Sequence, residues 1–164
     1  MRFDAEIRYD AEPQRTFEML TDPAFLEKVC TDNGAIEHSV AVEPVDGGGV
    51  VITTTRVLPT KDVPPVVKGF VGETLTVTEV DTWGPAAEDG SRTGTVTLDI
   101  TGAPVKLTGG LTFGAHADGT SVERLSGDLK AGIPIFGGQV EKAAEPAVRS
   151  AIKVKQRTGA AWLA

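Results

Sequence analysis

The sequence predicts an α+β fold in which a seven-stranded, curved antiparallel sheet wraps around a long C-terminal helix. Three observations carry this. Residues 2–10 alternate apolar and charged side chains as one half-buried strand does. From residue 35 to 131 apolar residues recur with a period of two, in six runs separated by turn residues. After Pro134 the period becomes 3.6 and continues towards the last residues.

The first strand places Phe3, Ala5, Ile7 and Tyr9 on one face and its charges on the other. Two short helices follow. Pro13 suits a first helical turn, after which Phe17 and Leu20 share a side. Asp22-Pro23 is a stronger start, since Asp caps and Pro fits the next position; Phe25, Leu26, Val29 and Cys30 then form an apolar stripe that Asn33-Gly34 ends. Strands are expected at 35–45, 50–58, 72–83, 92–101, 105–116 and 120–131. Their short separators, such as Asp46-Gly47-Gly48-Gly49 and Asp118-Gly119, have turn chemistry and imply antiparallel neighbours.

The connection 59–71 is different. It is apolar, and Pro65 suits the opening of a single helical turn that places Val66 and Phe70 on one side, as a cover for one end of the wrap. In the last segment Val140, Ala144, Ala147, Val148, Ala151, Ile152 and Lys155 trace one helical face. Pro146 interrupts it by removing a backbone donor, which predicts either a kink over 142–146 or a break into two helices.

A chain of 164 residues fits one domain, 1–164, and can bury about 70% of its unfolded surface without a disulfide or metal. The net charge of -7 opposes binding to phosphate backbones, so nucleic acid is not an expected partner. Residues 137–164 nonetheless carry Lys142, Arg149, Lys153, Lys155 and Arg157 against Glu141 and Glu145. Cations near a helix C-terminus explain this; a basic docking face is the alternative. Cys30, the only cysteine, and the N-terminal pattern together predict a cytoplasmic protein. No apolar run approaches the roughly 20 residues of a membrane-spanning helix.

The element order, with the strand-to-helix start at Asp10–Pro13, Asp22-Pro23 opening the second helix and Trp83 closing a strand, resembles the START-like or SRPBCC superfamily, whose fold is called a helix grip. Residues 133–141, Ile-Pro-Ile-Phe-Gly-Gly-Gln-Val-Glu, look like the opening of the last helix in an uncharacterised bacterial branch of that superfamily. Pro146 departs from the pattern. The resemblance implies a cavity between the concave sheet face and the last helix, used in the superfamily to bind lipids, sterols or polyketides and in some members for cyclisation or hydrolysis.

Few residues offer chemistry in such a cavity. His38 shares a strand face with Ile36, Val40 and Val42 and is read either as an inward ligand contact or as a residue of the sheet's rim. His116 alternates away from Leu111, Phe113 and Ala115, towards solvent. The two histidines are too isolated for a metal site, and no nucleophile triad, phosphate loop or paired-carboxylate motif is recognisable, so neither metal nor cofactor is expected. Arg56 follows Val50, Ile52 and Thr54 and is a cation at the cavity unless the register slips by one. Glu79 lies on the face of Leu75, Val77 and Trp83, but Val80 hints at a bulge. Without that bulge Glu79 is a buried carboxylate with Arg56 as a candidate partner. Tyr9, Phe17, Phe70, Trp83 and Phe113 are the aromatics expected to face inward, and Val148 and Ile152 the helical wall.

The leading functional expectation is binding or transport of a small apolar or amphipathic ligand, lipid- or polyketide-like. A cyclase- or hydrolase-type enzyme using His38, Glu79 or Arg56 is the alternative. A third is an interaction module, self-associating as a homodimer through the sheet or the basic last helix.

Overall fold

The computed structural model describes residues 1–164. Strand β1 (Arg2–Tyr9) is followed by helices α1 (Pro13–Leu20) and α2 (Pro23–Asp32), then β2 (Glu37–Val45) and β3 (Gly49–Pro59). Helix α3 (Pro65–Val71) precedes β4 (Thr74–Trp83), β5 (Arg92–Thr101), β6 (Val105–Ala115) and β7 (Ser121–Ala131), and α4 (Gly137–Leu163) closes the chain. The seven strands form one antiparallel sheet in the order β1-β7-β6-β5-β4-β3-β2. This is the helix-grip architecture.

Consecutive strands from β2 to β7 are neighbours, joined mostly by tight turns. The exception is β1, which pairs with β7 and so leaves β1 and β2 as the two edges of the sheet. Helices α1 and α2 carry the chain from one edge to the other. Pro13 and Pro23 both occupy first-turn positions, and the Asp22 side chain accepts a hydrogen bond from the Ala24 N–H at 2.9 Å. Helix α2 ends at Asn33, after which Gly34 takes φ 87°, a conformation glycine adopts without a Cβ penalty.

The backbones of β6 and β7 come closest to a would-be side chain at a facing glycine pair. Gly109 and Gly127 are directly paired there, and a Cβ on Gly127 would lie 2.1 Å from the Thr108 carbonyl oxygen. One on Gly109 would lie 2.7 Å from the Ser126 oxygen. Only two glycines permit that approach.

Helix α4 lies across the concave face as a single helix of 27 residues that includes Pro146, so the chain does not divide into two helices there. Pro146 lies on the exposed side, where water can hydrogen-bond the Lys142 carbonyl freed by the proline. Near the other end, a Cβ on Gly159 would come within 2.8 Å of the Tyr9 ring, so helix and β1 are in close contact. The basic surplus of α4 is partly consumed internally. Arg149 pairs with Glu145 at 2.9 Å and stacks over Phe3, and Lys155 turns inward to Glu123.

Two apolar clusters fill the wrap. One gathers Phe25, Leu26, Ile52, Trp83, Phe113 and Leu163 beside α1 and α2; the other gathers Phe3, Val67, Leu75, Leu107, Leu129, Val140 and Ala144 towards α3. In α3 the buried residue is Val67, whereas Val66 and Phe70 are 40% and 44% exposed. The expectation that Val66 and Phe70 cover the interior is therefore corrected. The helix opens at Pro65, and its rotation brings the intervening Val67 onto the core.

Candidate functional site

Between the two apolar clusters, which Leu125 and Ile152 both touch, the strands' alternation places a belt of polar side chains. On β3, Ile52, Thr54 and Arg56 face inward; on β4, Val77, Glu79, Asp81 and Trp83 do. The ladder through β3, β4 and β5 is uninterrupted, with Thr54 opposite Glu79, Ile52 opposite Asp81 and Leu98 opposite Glu79. No bulge occurs at Val80. Both acids alternate regularly with the apolar positions and point at α4.

Arg56 is 6% exposed, and its Nη1 donates to Glu79 Oε2 at 3.3 Å. Across the wrap, Lys155 Nζ of α4 donates to Glu123 Oε1 at 2.8 Å, and the Tyr9 hydroxyl donates to Glu123 Oε2 at 2.9 Å. Asp81, 8% exposed, lies between these pairs. Two buried polar atoms have no hydrogen-bond partner in the protein: Arg56 Nε and Asp81 Oδ1. Such orphans are costly and rare, which marks this belt as more than packing.

Burial pushes the Asp81 carboxyl well above the usual carboxylate range, and the neighbouring Glu79 charge adds to it. Burial also raises the Tyr9 phenol, with Glu123 reinforcing the shift, so Tyr9 stays a donor. For Lys155 burial acts against the charge, but the Glu123, Asp81 and Glu79 carboxylates outweigh it and hold the ammonium above its ordinary pKa. Besides Asp81, the belt holds two cations, Arg56 and Lys155, paired with two carboxylates, Glu79 and Glu123.

Against this belt the contact between α4 and the sheet is incomplete. A cavity of about 70 Å³ lies between α2, α4 and the sheet, walled by Val29, Val96, Leu98 and Ile152 among others, with Arg56, Glu79, Asp81 and Lys155 on its polar side. A second of about 50 Å³ shares Glu79, Asp81, Leu125, Ile152 and Lys155 and extends to Ile7 and Glu123. The third, of about 150 Å³, shares Arg56, Leu98, Val148 and Ala151 and extends under the 59–64 connection to Val67. The α4 residues lining the three run from Ala144 to Lys155, roughly 16 Å of helix axis. This is one slender seam. None of its parts reaches the roughly 300 Å³ usual for a drug-sized ligand. The exposed Pro59, Asp62 and Ala147 put its far end at the surface between the 59–64 connection and α4.

The residues expected at a site therefore separate. Arg56, Glu79, Val148 and Ile152 line the seam. Trp83 and Phe113 are buried beside it with the half-buried Phe17, in an aromatic cluster with ring centroids 5.5–6.3 Å apart and Arg92 over the Phe17 ring. This trio packs the α1 end of the core and is not part of the seam's lining. His38, opposite Arg56 on β2, is on the concave side but exposed, because β2 is an edge strand that extends beyond the helix. It is a rim residue. Phe70 is exposed on α3 and contributes nothing to the lining. Asp81, Glu123 and Lys155 were not singled out as site residues from the sequence, although each has the parity of its buried neighbours.

A family model described as "Protein of unknown function (DUF2505)" matches residues 4–163. An uncharacterised protein of Mycobacterium tuberculosis, Rv0481c, is 26% identical over 119 residues, covering 72% of this chain and 68% of the relative. Among solved structures, the ZhuI aromatase/cyclase from Streptomyces sp. R1128 superposes with a TM-score of 0.59 at 12% identity, over 97% of this chain and 90% of that one. The human StarD13 lipid transfer and protein localization domain gives 0.57 at 11% identity, over 96% and 76%. At these identities the likeness is one of fold. No helix is long and apolar enough to cross a membrane. With its family match spanning nearly the whole sequence, the chain belongs to the DUF2505 family, and its sheet wrapped around α4 has the helix-grip fold of these structures.

Proposed function

We propose that residues 1–164 act as one domain that binds a small apolar or amphipathic molecule in the seam between the sheet and α4. The observation that carries this is the run of three adjoining cavities along Ala144–Lys155, where a core packed only for stability would close up. Small side chains at Ala144, Ala147 and Ala151 leave the space, and Val148, Ile152, Val96 and Leu98 make its walls apolar. Its narrowness favours a slim, chain-like ligand, or one admitted when the 59–64 connection gives way. The lipid- or polyketide-like class is supported by the fold shared with a lipid transfer domain and an aromatase/cyclase. The enzyme alternative has less support: Arg56 and Glu79 are engaged with each other, and His38 is exposed at the rim.

Titration with the neutral fluorophore N-phenyl-1-naphthylamine tests the reading. Saturable one-site binding is expected, weakened at least about tenfold by Ala151→Trp, which fills the junction of two cavities, with an unchanged far-UV circular dichroism spectrum. Absence of saturable binding, together with only the bare polypeptide mass in native mass spectrometry, would overturn it.

A further inference from the structure

The binding reading leaves open which polar group a ligand carries, and the belt constrains it. This step rests on that reading. Arg56 is the cation that lines both the first and the third cavity, and its charge is already met by Glu79 at 3.3 Å. The other cation, Lys155, is held by Glu123 at 2.8 Å. No cation of the belt is left free for an incoming anion. Glu79 and Asp81 face the first two cavities, and Glu123 faces the second. A ligand carboxylate would thus enter an apolar seam as an unpaired charge beside three acidic side chains. Two of the residues lining these cavities carry atoms without a partner, the donor Arg56 Nε–H and the oxygen Asp81 Oδ1, and both residues are more than nine-tenths buried. Both suit a neutral oxygen function: a ligand hydroxyl accepts from the first or donates to the second.

We infer that the seam selects apolar molecules whose polar group is a neutral hydroxyl, and discriminates against the corresponding carboxylates. The discrimination comes from Glu79, which cancels the one charge that would otherwise recruit an acid. Asp81, facing the same cavities, adds no positive charge that could recruit an acid.

Isothermal titration with octan-1-ol and with sodium octanoate at pH 7 compares the two head groups on one chain length. The alcohol is expected to bind at least about tenfold more tightly, and octanoate to gain affinity as the pH falls and it becomes neutral. In Glu79→Gln, which frees the Arg56 charge, the affinity for octanoate relative to octan-1-ol should rise about tenfold or more. Octanoate binding as tightly as the alcohol to the unaltered protein would overturn the inference, as would a Glu79→Gln protein that still rejects octanoate. Failure of both compounds while N-phenyl-1-naphthylamine binds would also overturn it and leave the binding reading standing. Failure of all three would remove the binding reading itself.

Discussion

Asp81 shows how a single position sets conditions for the whole core. Its carboxyl is buried beside Glu79, one of its oxygens has no partner, and its folded-state pKa is raised well above the ordinary value. In the unfolded chain an Asp titrates near about 3.9. Above that pH the unfolded state releases the proton while the folded state keeps it, so the folded state binds more protons and stability falls as pH rises. The contribution is complete below about pH 4 and is lost at up to about 1.4 kcal/mol per pH unit until the folded-state pKa is passed. Asp81→Asn removes this loss. Thermal unfolding from pH 4.5 to 8 should show the variant gaining on the parent protein as pH rises; a constant offset would mean that Asp81 is ionised in the folded protein throughout that window.

At the scale of elements, the glycine pair between β6 and β7 marks a place where the two strands leave no room for a side chain. With the Gly127 Cβ position 2.1 Å from the Thr108 oxygen, Gly127→Ala must displace one strand. A loss of about 2–3 kcal/mol is expected in urea unfolding, and a loss below about 0.5 kcal/mol would show that the strands adjust freely. These elements were largely legible in the sequence, since periods of two and 3.6 are local signals and the capped start at Asp22-Pro23 is a local one too. The strand 74–83 was harder. Leu75, Val77 and Trp83 share a parity, but Glu79 and Asp81 occupy the same face, and two acids pointing into a core imitate a bulge in the pattern. The orientation of α3 was also hidden. In a seven-residue helix with Val66, Val67, Phe70 and Val71 all apolar, only the packing partner decides which of them is inward.

For the molecule as a whole, the core is two apolar clusters with buried ion pairs between them, an arrangement that costs stability. Replacing a buried ion pair together with its neighbours by apolar residues of similar size often stabilises a protein by about 1–4 kcal/mol. The variant combining Arg56→Met, Glu79→Leu and Asp81→Leu is therefore expected to unfold at higher temperature than the parent and to go on rejecting octanoate, since no cation at position 56 is left to pair with it. Lower stability would show that the belt sustains the fold. Little of the belt could be assembled from the sequence alone. Parity turned Arg56 and Glu79 inward, and helical spacing put Lys155 on the face of Ile152. That Lys155 meets Glu123, and that Tyr9 meets the same carboxylate 114 residues away, depends on the closed sheet and not on any local pattern.

The pairing of β1 with β7 also bears on when the fold can form. Tyr9 lies opposite Ser121, so the first strand made has no partner until more than a hundred further residues have been synthesised. At the usual pace of translation that interval is on the order of 6–20 s. During it, Phe3, Ile7 and Tyr9 must be shielded by something other than the sheet that finally buries them. Closure of β1 onto β7 is expected to be a late event, and the nascent chain to be most vulnerable to aggregation before it.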